Sequence, residues 1–175
     1  MPVLLTQYVQ TTYQDTDEYR EVVGIGVQLL HHLNEPRIQS LLIEANMPGS
    51  SSVLVQAAFA TFAETLGFVN EARGLFGSYA NNALRPDYFR RLGDTGILME
   101  VERGKTTTNN MDFLDFWKCH LCEHANYLFL LVPRELQHNH AMRPRNEYDA
   151  VAKRMSAFFL PRNYTNVRGL HIFGY

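Results

Sequence analysis

Three carboxylates in the middle of the chain have the types and spacing needed to hold a cation. Asp87 follows Pro86, and twelve residues separate it from Glu100, with Glu102 two positions further on. On a β-strand, residues two apart share one face, so the two glutamates are expected to lie side by side. Paired acids in an apolar run repel each other and lose hydration unless a cation or a proton compensates them. The pattern predicts a divalent metal site.

A β-hairpin is the simplest way to bring the three acids together. Residues 84–92 and 96–103 both have strand character, and the turn residues Gly93, Asp94 and Thr95 lie between them. In the second strand Glu100 and Glu102 alternate with apolar residues. The two glutamates are therefore expected on one face of the strand, and Met99 and Val101 on the other. Carboxylate oxygens without His or Cys favour Mg²⁺ or Mn²⁺ over Zn²⁺.

The elements around the hairpin form a recognisable series. Residues 52–66 predict a helix with one buried stripe, 68–79 a strand with a turn, 106–124 a second helix, and 127–132 a short apolar strand. The predicted order from 52 to 133 is therefore helix, three strands, helix, strand.

This order and the pattern Pro86-Asp87, then Glu100-Val101-Glu102, resemble the PD-(D/E)XK nuclease superfamily. The resemblance implies an α/β fold with a restriction-endonuclease-like αβββαβ core, a mixed central sheet and flanking helices. It also implies metal-dependent hydrolysis of phosphodiester bonds in DNA. The chain departs from the motif at Glu102, where the family usually has Lys, although some restriction enzymes of the superfamily carry Glu there.

The resemblance assigns roles to individual residues. Asp87, Glu100 and the carbonyl of Val101 are expected to coordinate Mg²⁺ or Mn²⁺, which would generate the attacking hydroxide from water. Glu102 would bind a second metal or act as a general base. Lys105, three residues beyond Glu102, is one candidate for the cation that stabilises the transition state.

Lys118 is a second candidate for that cation. Leu114, Lys118, Leu121 and Ala125 would form one helical stripe, which places a Lys among apolar residues. Some members of the superfamily carry the catalytic Lys on this helix. The alternative is that Lys118 extends its ammonium group to solvent at the edge of the stripe.

One further acid is expected where the first core helix meets the first strand, because superfamily members often contribute one there. Glu64 and Glu71 flank this transition, and the sequence does not choose between them. Either is also compatible with an ordinary surface position.

A zinc site is the main competing interpretation. Cys119 and Cys122 would share a helix face and, with His138 and His140, offer four ligands. The alternative is two buried thiols beside exposed imidazoles. A zinc-stabilised interaction protein is thus one rival function. A second rival function is a nucleic-acid or protein binding module on the same fold. In that case the replacement of the motif's Lys by Glu102 would reflect the loss of catalytic activity.

Composition limits the remaining possibilities. A chain of 175 residues with 46% hydrophobic content predicts a single domain, comprising an N-terminal helical extension (1–50), the core (52–133) and a C-terminal helix and strand (134–175). The net charge of −2 requires any DNA-binding face to come from local clusters, as in the basic residues near the motif or in the tail 143–168.

Predictions about cellular location and cofactors rest on sequence patterns that are not found. No apolar run is long enough for a membrane span and no signal-like start is present, so a cytoplasmic protein is expected. Gly24-Ile25-Gly26 lacks the third glycine of a dinucleotide fingerprint, so no organic cofactor is predicted. Cutting both strands of DNA would suggest a homodimer.

Overall fold

A mixed β-sheet runs through the computed structural model, which describes residues 1–70, 73–80, 84–104, 106–137 and 143–175. Within these residues the sheet has six strands in the order β1, β8, β5, β4, β3, β2. The strands are β1 Leu4–Val9, β2 Val69–Asn70, β3 Tyr88–Leu92, β4 Thr95–Val101, β5 Tyr127–Val132 and β8 Gly169–Gly174. β4, β5 and β8 are parallel, and the other pairs are antiparallel. A separate two-stranded ladder joins β6 Glu135–Leu136 to β7 Arg145–Asn146.

Helices cover both faces of this sheet. α1 Asp17–Leu33, α2 Pro36–Ala45 and α3 Ser52–Thr65 pack on one face, and α4 Met111–Leu121 and α5 Glu147–Ser156 pack on the other. α1 begins where the Thr16 side chain accepts the amide of Tyr19. β4 and β5 are buried along their whole length, as their nearly unbroken apolar sequences predict.

The expected fold class is confirmed. The elements α3, β2, β3, β4, α4 and β5 follow one another in the predicted αβββαβ order, with helices before and a helix and strand after them. The stretch 37–45, whose sequence is compatible with a helix or an extended segment, lies in α2, and Pro36 is in the first turn of that helix. The assignment of 1–175 to a single domain stays a prediction.

Several local predictions are wrong. The extension 1–50 was expected to be helical, but it contains β1, which pairs with β8. The described residues form a sheet of six strands, whereas four or five would fit a chain of this length. β1 lies at the sheet edge and carries polar residues, so its sequence shows no clear period. Among the described residues of the strand expected at 68–79, Val69–Asn70 alone form a strand, and 74–80 make turns that include Gly74 at φ 83°.

The ends of the helix after the hairpin also differ from expectation. α4 spans Met111–Leu121 rather than 106–124, because Asn110 takes a left-handed φ of 56° and Cys122 is extended. The polar loop expected at 134–143 contains β6. No helix among the described residues combines the length and apolar character needed to cross a membrane.

Candidate active site

The hairpin brings Asp87 beside Glu100. Tyr88 pairs with Met99 in the β3–β4 ladder, so the residue before the strand lies opposite Glu100. The Asp87 amide donates to Glu100 Oε2 at 3.2 Å, and Asp87 Oδ2 accepts the Val101 amide at 2.8 Å. The side chain of Asp87 is thereby fixed against the backbone of β4.

α4 adds a lysine and a further acid, Lys118 and Asp115, to the pair Asp87 and Glu100. Lys118 Nζ lies 2.7 Å from Glu100 Oε1 and 3.3 Å from Asp115 Oδ1. The side chains of Glu100 and Asp115 are 5% and 3% exposed, and that of Lys118 is 16% exposed. The ammonium group therefore bridges two buried carboxylates, one on β4 and one on its own helix.

Glu102 completes the group just past the end of β4. Its backbone is held on both sides, because its amide donates to Leu131 O at 2.8 Å and its carbonyl accepts the Tyr175 hydroxyl at 2.7 Å. After burial, the charge of Asp115 raises the pKa of the Glu102 carboxyl group, so the two carboxyl groups are close enough to interact electrostatically. Thr106 Oγ1 lies 3.5 Å from Glu102 Oε2. We call Asp87, Glu100, Glu102, Asp115 and Lys118 the acidic cluster.

The acidic cluster has four carboxyl groups and one ammonium group, so its charge is unbalanced. Burial, with the nearby charges of Asp115 and Asp87, raises the pKa of Glu102 to about 8. Burial also raises the pKa of Asp115 to about 6, against the opposing effect of Lys118. The pKa of Glu100 is raised well above its ordinary value, first by burial and then by Asp115, again opposed by Lys118. Protons or a further cation must supply the missing positive charge.

The pKa of Lys118 is also raised, which in a lysine favours the charged form. Burial lowers its pKa, but the attraction of Glu100 and Asp115 outweighs burial, so the pKa lies above the ordinary value. Lys118 is therefore charged at neutral pH and contributes a fixed positive charge to the cluster.

The donor chemistry of the cluster fits a hard divalent cation. Its carboxylate oxygens, with the backbone carbonyl of Val101, are ligands that such a cation prefers, and Asp115 Oδ2 is buried with no hydrogen-bond partner among the described residues. Among those same residues, however, no three Asp, Glu, His or Cys side chains already stand in an arrangement that would enclose a metal ion. Lys118 Nζ lies between Glu100 and Asp115, so the carboxylates would have to turn to bind one.

The helical stripe proposed for Lys118 is wrong. Leu114 and Leu121 are 55% and 42% exposed. The buried face of α4 instead carries Asp112, Asp115, Phe116 and Cys119. The Lys118 ammonium accordingly ends among acids at the sheet rather than in open solvent.

Asp115 is the site residue that sequence reasoning missed. It was overlooked because the buried face of α4 was placed on the Leu114 side. Its signal was its position three residues before Lys118, since residues three apart are neighbours on a helix surface. Asp115 and Lys118 reach Glu100 because α4 packs the face that carries Asp115 against β4.

The other predicted acids and cations lie elsewhere. Lys105 and Glu71 fall outside the described residues, and Glu64 is exposed on α3. The expected crowding of arginines around the site is wrong at three positions. Arg90 contacts Leu66 O and Glu21, Arg91 contacts Gly93 O at the turn, and Arg103 contacts Met47 O on the other face of the sheet.

The cysteines of the zinc alternative are buried in the apolar cluster between α4 and the sheet. Burial raises the pKa of both thiols, so Cys119 and Cys122 are protonated at neutral pH. His138 and His140, the other expected ligands, lie outside the described residues. The observations at the two cysteines favour buried thiols over zinc ligands.

Comparisons with known proteins give limited information. No family model matches the chain, and no curated protein matches its sequence. The crystal structure of the restriction endonuclease BglII complexed with a DNA 16-mer aligns with 99% of this chain and 78% of that chain, at 10% identity and a TM-score of 0.48. At that score the alignment carries no argument about function, which must come from the geometry of the acidic cluster.

Proposed function

We propose that this chain is a metal-dependent endonuclease that hydrolyses phosphodiester bonds in DNA. The observation that supports it best is the bridge from Lys118 to Glu100 beside Asp87, because it places two potential metal ligands and a cation at one point of the sheet. Phosphoryl transfer requires those components, since catalysis rests on positioning and on stabilising the charge that develops on the phosphate.

In this proposal the acids bind the cation and the lysine stabilises the phosphate. Asp87 and Glu100, with the carbonyl of Val101, would hold Mg²⁺ or Mn²⁺. Such an ion would lower the pKa of water and offset the negative charge of the phosphate. Lys118 would redirect one of its hydrogen bonds from a carboxylate to a non-bridging phosphate oxygen as the substrate enters.

Glu102 is proposed to act on the proton of the attacking water. Its raised pKa keeps it protonated at neutral pH while the cluster lacks a cation. Positive charge beside it favours the ionised form, so a bound cation would convert it into a base. Glu102 is partly exposed, unlike Glu100, so it can reach a water molecule at the cluster edge. A second metal at Glu102 remains part of the proposal.

DNA and a second copy of the chain are the proposed partners. One active site cuts one strand, so cleavage of both strands needs two sites and hence favours a homodimer. Lys105, three residues after Glu102 in the sequence, remains a proposed second cation.

A binding module on the same fold is the second candidate. The observation that favours it is the closed bridge at Lys118, which already satisfies Glu100 without any metal. In that case the acidic cluster would hold its charge through Lys118 and bound protons, and the fold would bind nucleic acid or protein without cleaving it.

Cleavage of supercoiled plasmid and linear duplex, in Mg²⁺, Mn²⁺ or EDTA, tests the proposal. The variants are Asp87→Asn, Glu100→Gln and Lys118→Met. Glu64→Gln is the matched control, because Glu64 is an exposed acid on α3. The proposal expects metal-dependent nicking or cutting that the three cluster variants lose and the control keeps. Absence of cleavage in the wild type on duplex, branched and single-stranded DNA would eliminate the enzyme and leave the binding module.

A further inference from the structure

The loop 106–110 links Glu102 to the start of α4. Thr106 is fully buried, and its hydroxyl lies 3.5 Å from Glu102 Oε2. Its carbonyl accepts the amide of Met111, the first residue of α4, at 2.8 Å. The position of this loop therefore determines both what lies beside Glu102 and where α4 begins.

Glu147, the first residue of α5, holds the middle of the loop. Its side chain is almost fully buried, at 1% exposure. Glu147 Oε1 accepts the amide of Thr107 at 2.6 Å and its hydroxyl at 2.8 Å. A buried carboxylate with two donors from one residue fixes both the backbone and the side chain of Thr107.

Arg154, two turns further along α5, holds the end of the loop and the first turn of α4. Its guanidinium donates to Thr107 O at 2.9 Å and to Asn110 Oδ1 at 2.6 Å, and Nε lies 3.1 Å from Asp112 Oδ2. It also stands 4.1 Å from the ring centroid of Phe113. These contacts hold Asn110 in its left-handed conformation, where α4 starts.

The consequence reaches the acidic cluster because α4 carries Asp115 and Lys118. Each residue of a helix is rotated by about 100° from the next, so a small change at the start of α4 turns both groups away from Glu100. Residues 147 and 154 are seven apart and lie on the same face of α5, which faces the loop.

We propose that Glu147 and Arg154 are positioning residues of the acidic cluster. Through the loop they hold Thr106 beside Glu102 and set the rotation of α4, which places Lys118 against Glu100. The inference rests on the proposed function only where it concerns cleavage, since the geometry of the cluster can be measured without metal or substrate.

The variants separate positioning from general packing. Arg154→Lys keeps the charge but loses the planar fork that contacts Thr107 and Asn110 of the loop and Asp112 of α4 at once. Glu147→Leu removes the acceptor, whereas Glu147→Gln keeps an oxygen that can accept from Thr107. Lys153→Ala is the matched control, because Lys153 is an exposed neighbour on the same helix. Thr107→Val removes one of the two bonds to Glu147 and provides a milder variant.

The first measurement is the ¹³C carboxyl resonances of Asp115 and Glu102 in metal-free protein. Arg154→Lys and Glu147→Leu are expected to shift both resonances, while Glu147→Gln and Lys153→Ala leave them near their wild-type positions. The second measurement is single-turnover cleavage with the DNA affinity of each variant, well below the melting temperature. The cleavage rate is expected to fall about tenfold to a hundredfold in Arg154→Lys, with DNA affinity unchanged within about twofold.

Two results would decide against the inference. If Arg154→Lys, Glu147→Leu and Thr107→Val lower the melting temperature but leave the resonances and the cleavage rate unchanged, the two residues only stabilise the fold. If Glu147→Gln and Glu147→Leu shift the two resonances and lower the cleavage rate equally, the hydrogen bonds from Thr107 to Glu147 do not position the acidic cluster. If the wild type does not cleave at all, the proposed function fails, whereas shifted resonances still support the positioning role.

Discussion

Lys118 Nζ lies 2.7 Å from Glu100 Oε1, and this contact joins the helix after the hairpin to the second strand of the hairpin. Both side chains are largely buried, so each depends on the other for charge compensation. In the proposed nuclease, the same contact would place the lysine beside a phosphate held by the metal ion at Glu100.

Replacing Lys118 should therefore affect both stability and activity. Lys118→Met leaves Glu100 buried without its cation, and breaking a buried pair in this way costs roughly 3–5 kcal/mol. Protonation of Glu100 should keep the loss near 3 kcal/mol. Urea denaturation measures the free energy of unfolding, and plasmid cleavage should fall at least about a hundredfold. Lys153→Met, an exposed control, should change neither the free energy of unfolding nor the cleavage. A Lys118→Met variant that is inactive but as stable as the wild type would contradict the predicted loss of stability.

The metal-free protein should become less stable as the pH rises. Glu102 has a pKa of about 8 in the folded protein, against an ordinary value of 4.5, so between these values the folded state binds more protons than the unfolded state. Stability is therefore fully present below about pH 4.5 and is lost as the pH rises through about 8. Asp115, with a folded pKa of about 6, adds to the loss in the lower part of this window.

Thermal unfolding in EDTA at about pH 6 and about pH 9 measures this effect. A loss of about 2 kcal/mol would lower the melting temperature by roughly 4–8 °C for a domain of this size. Glu102→Gln should flatten the dependence, because it removes the titrating group. A melting temperature that rises over this range in the wild type would contradict the assigned direction.

A divalent cation should stabilise the folded protein, and more strongly at higher pH. Binding at a hundred times the dissociation constant adds about 2.7 kcal/mol. The effect grows with pH because the carboxylates must lose their protons before they bind metal. Melting temperatures with Mg²⁺ or Mn²⁺ test this, and Asp87→Asn should abolish the increase while Glu64→Gln retains it. Equal stabilisation of both variants would place the cation somewhere else.

Neutralising Asp115 should lower the pKa of Glu102. The charge of Asp115 is one of the causes that raise the Glu102 pKa, second to burial, so Asp115→Asn removes that repulsion. A titration of the Glu102 ¹³C carboxyl resonance measures the shift. The fall should be partial, since burial remains. An unchanged pKa would mean that the two carboxyl groups do not interact in solution.

The sequence alone determined the hairpin and the order of the core. The turn residues Gly93 and Asp94, the alternation of Met99, Glu100 and Val101 and the apolar run of β5 are local signals, and they predicted Asp87 beside Glu100 correctly. These features depend only on turn chemistry and on the two-residue period of a strand.

The tertiary structure decided which face of α4 meets the sheet. Leu114, Trp117 and Leu121 are exposed, although hydrophobicity alone would bury them, while Asp112 and Asp115 are buried. Sequence periodicity misplaced the face because the burial of these acids depends on contacts between elements. Asp112 pairs with Arg154 on α5, and Asp115 pairs with Lys118 of its own helix, which also contacts Glu100 on β4. β1 was missed for a similar reason, since its pairing with β8 joins opposite ends of the sequence. Long-range partners, rather than local propensity, therefore determine the composition of the site.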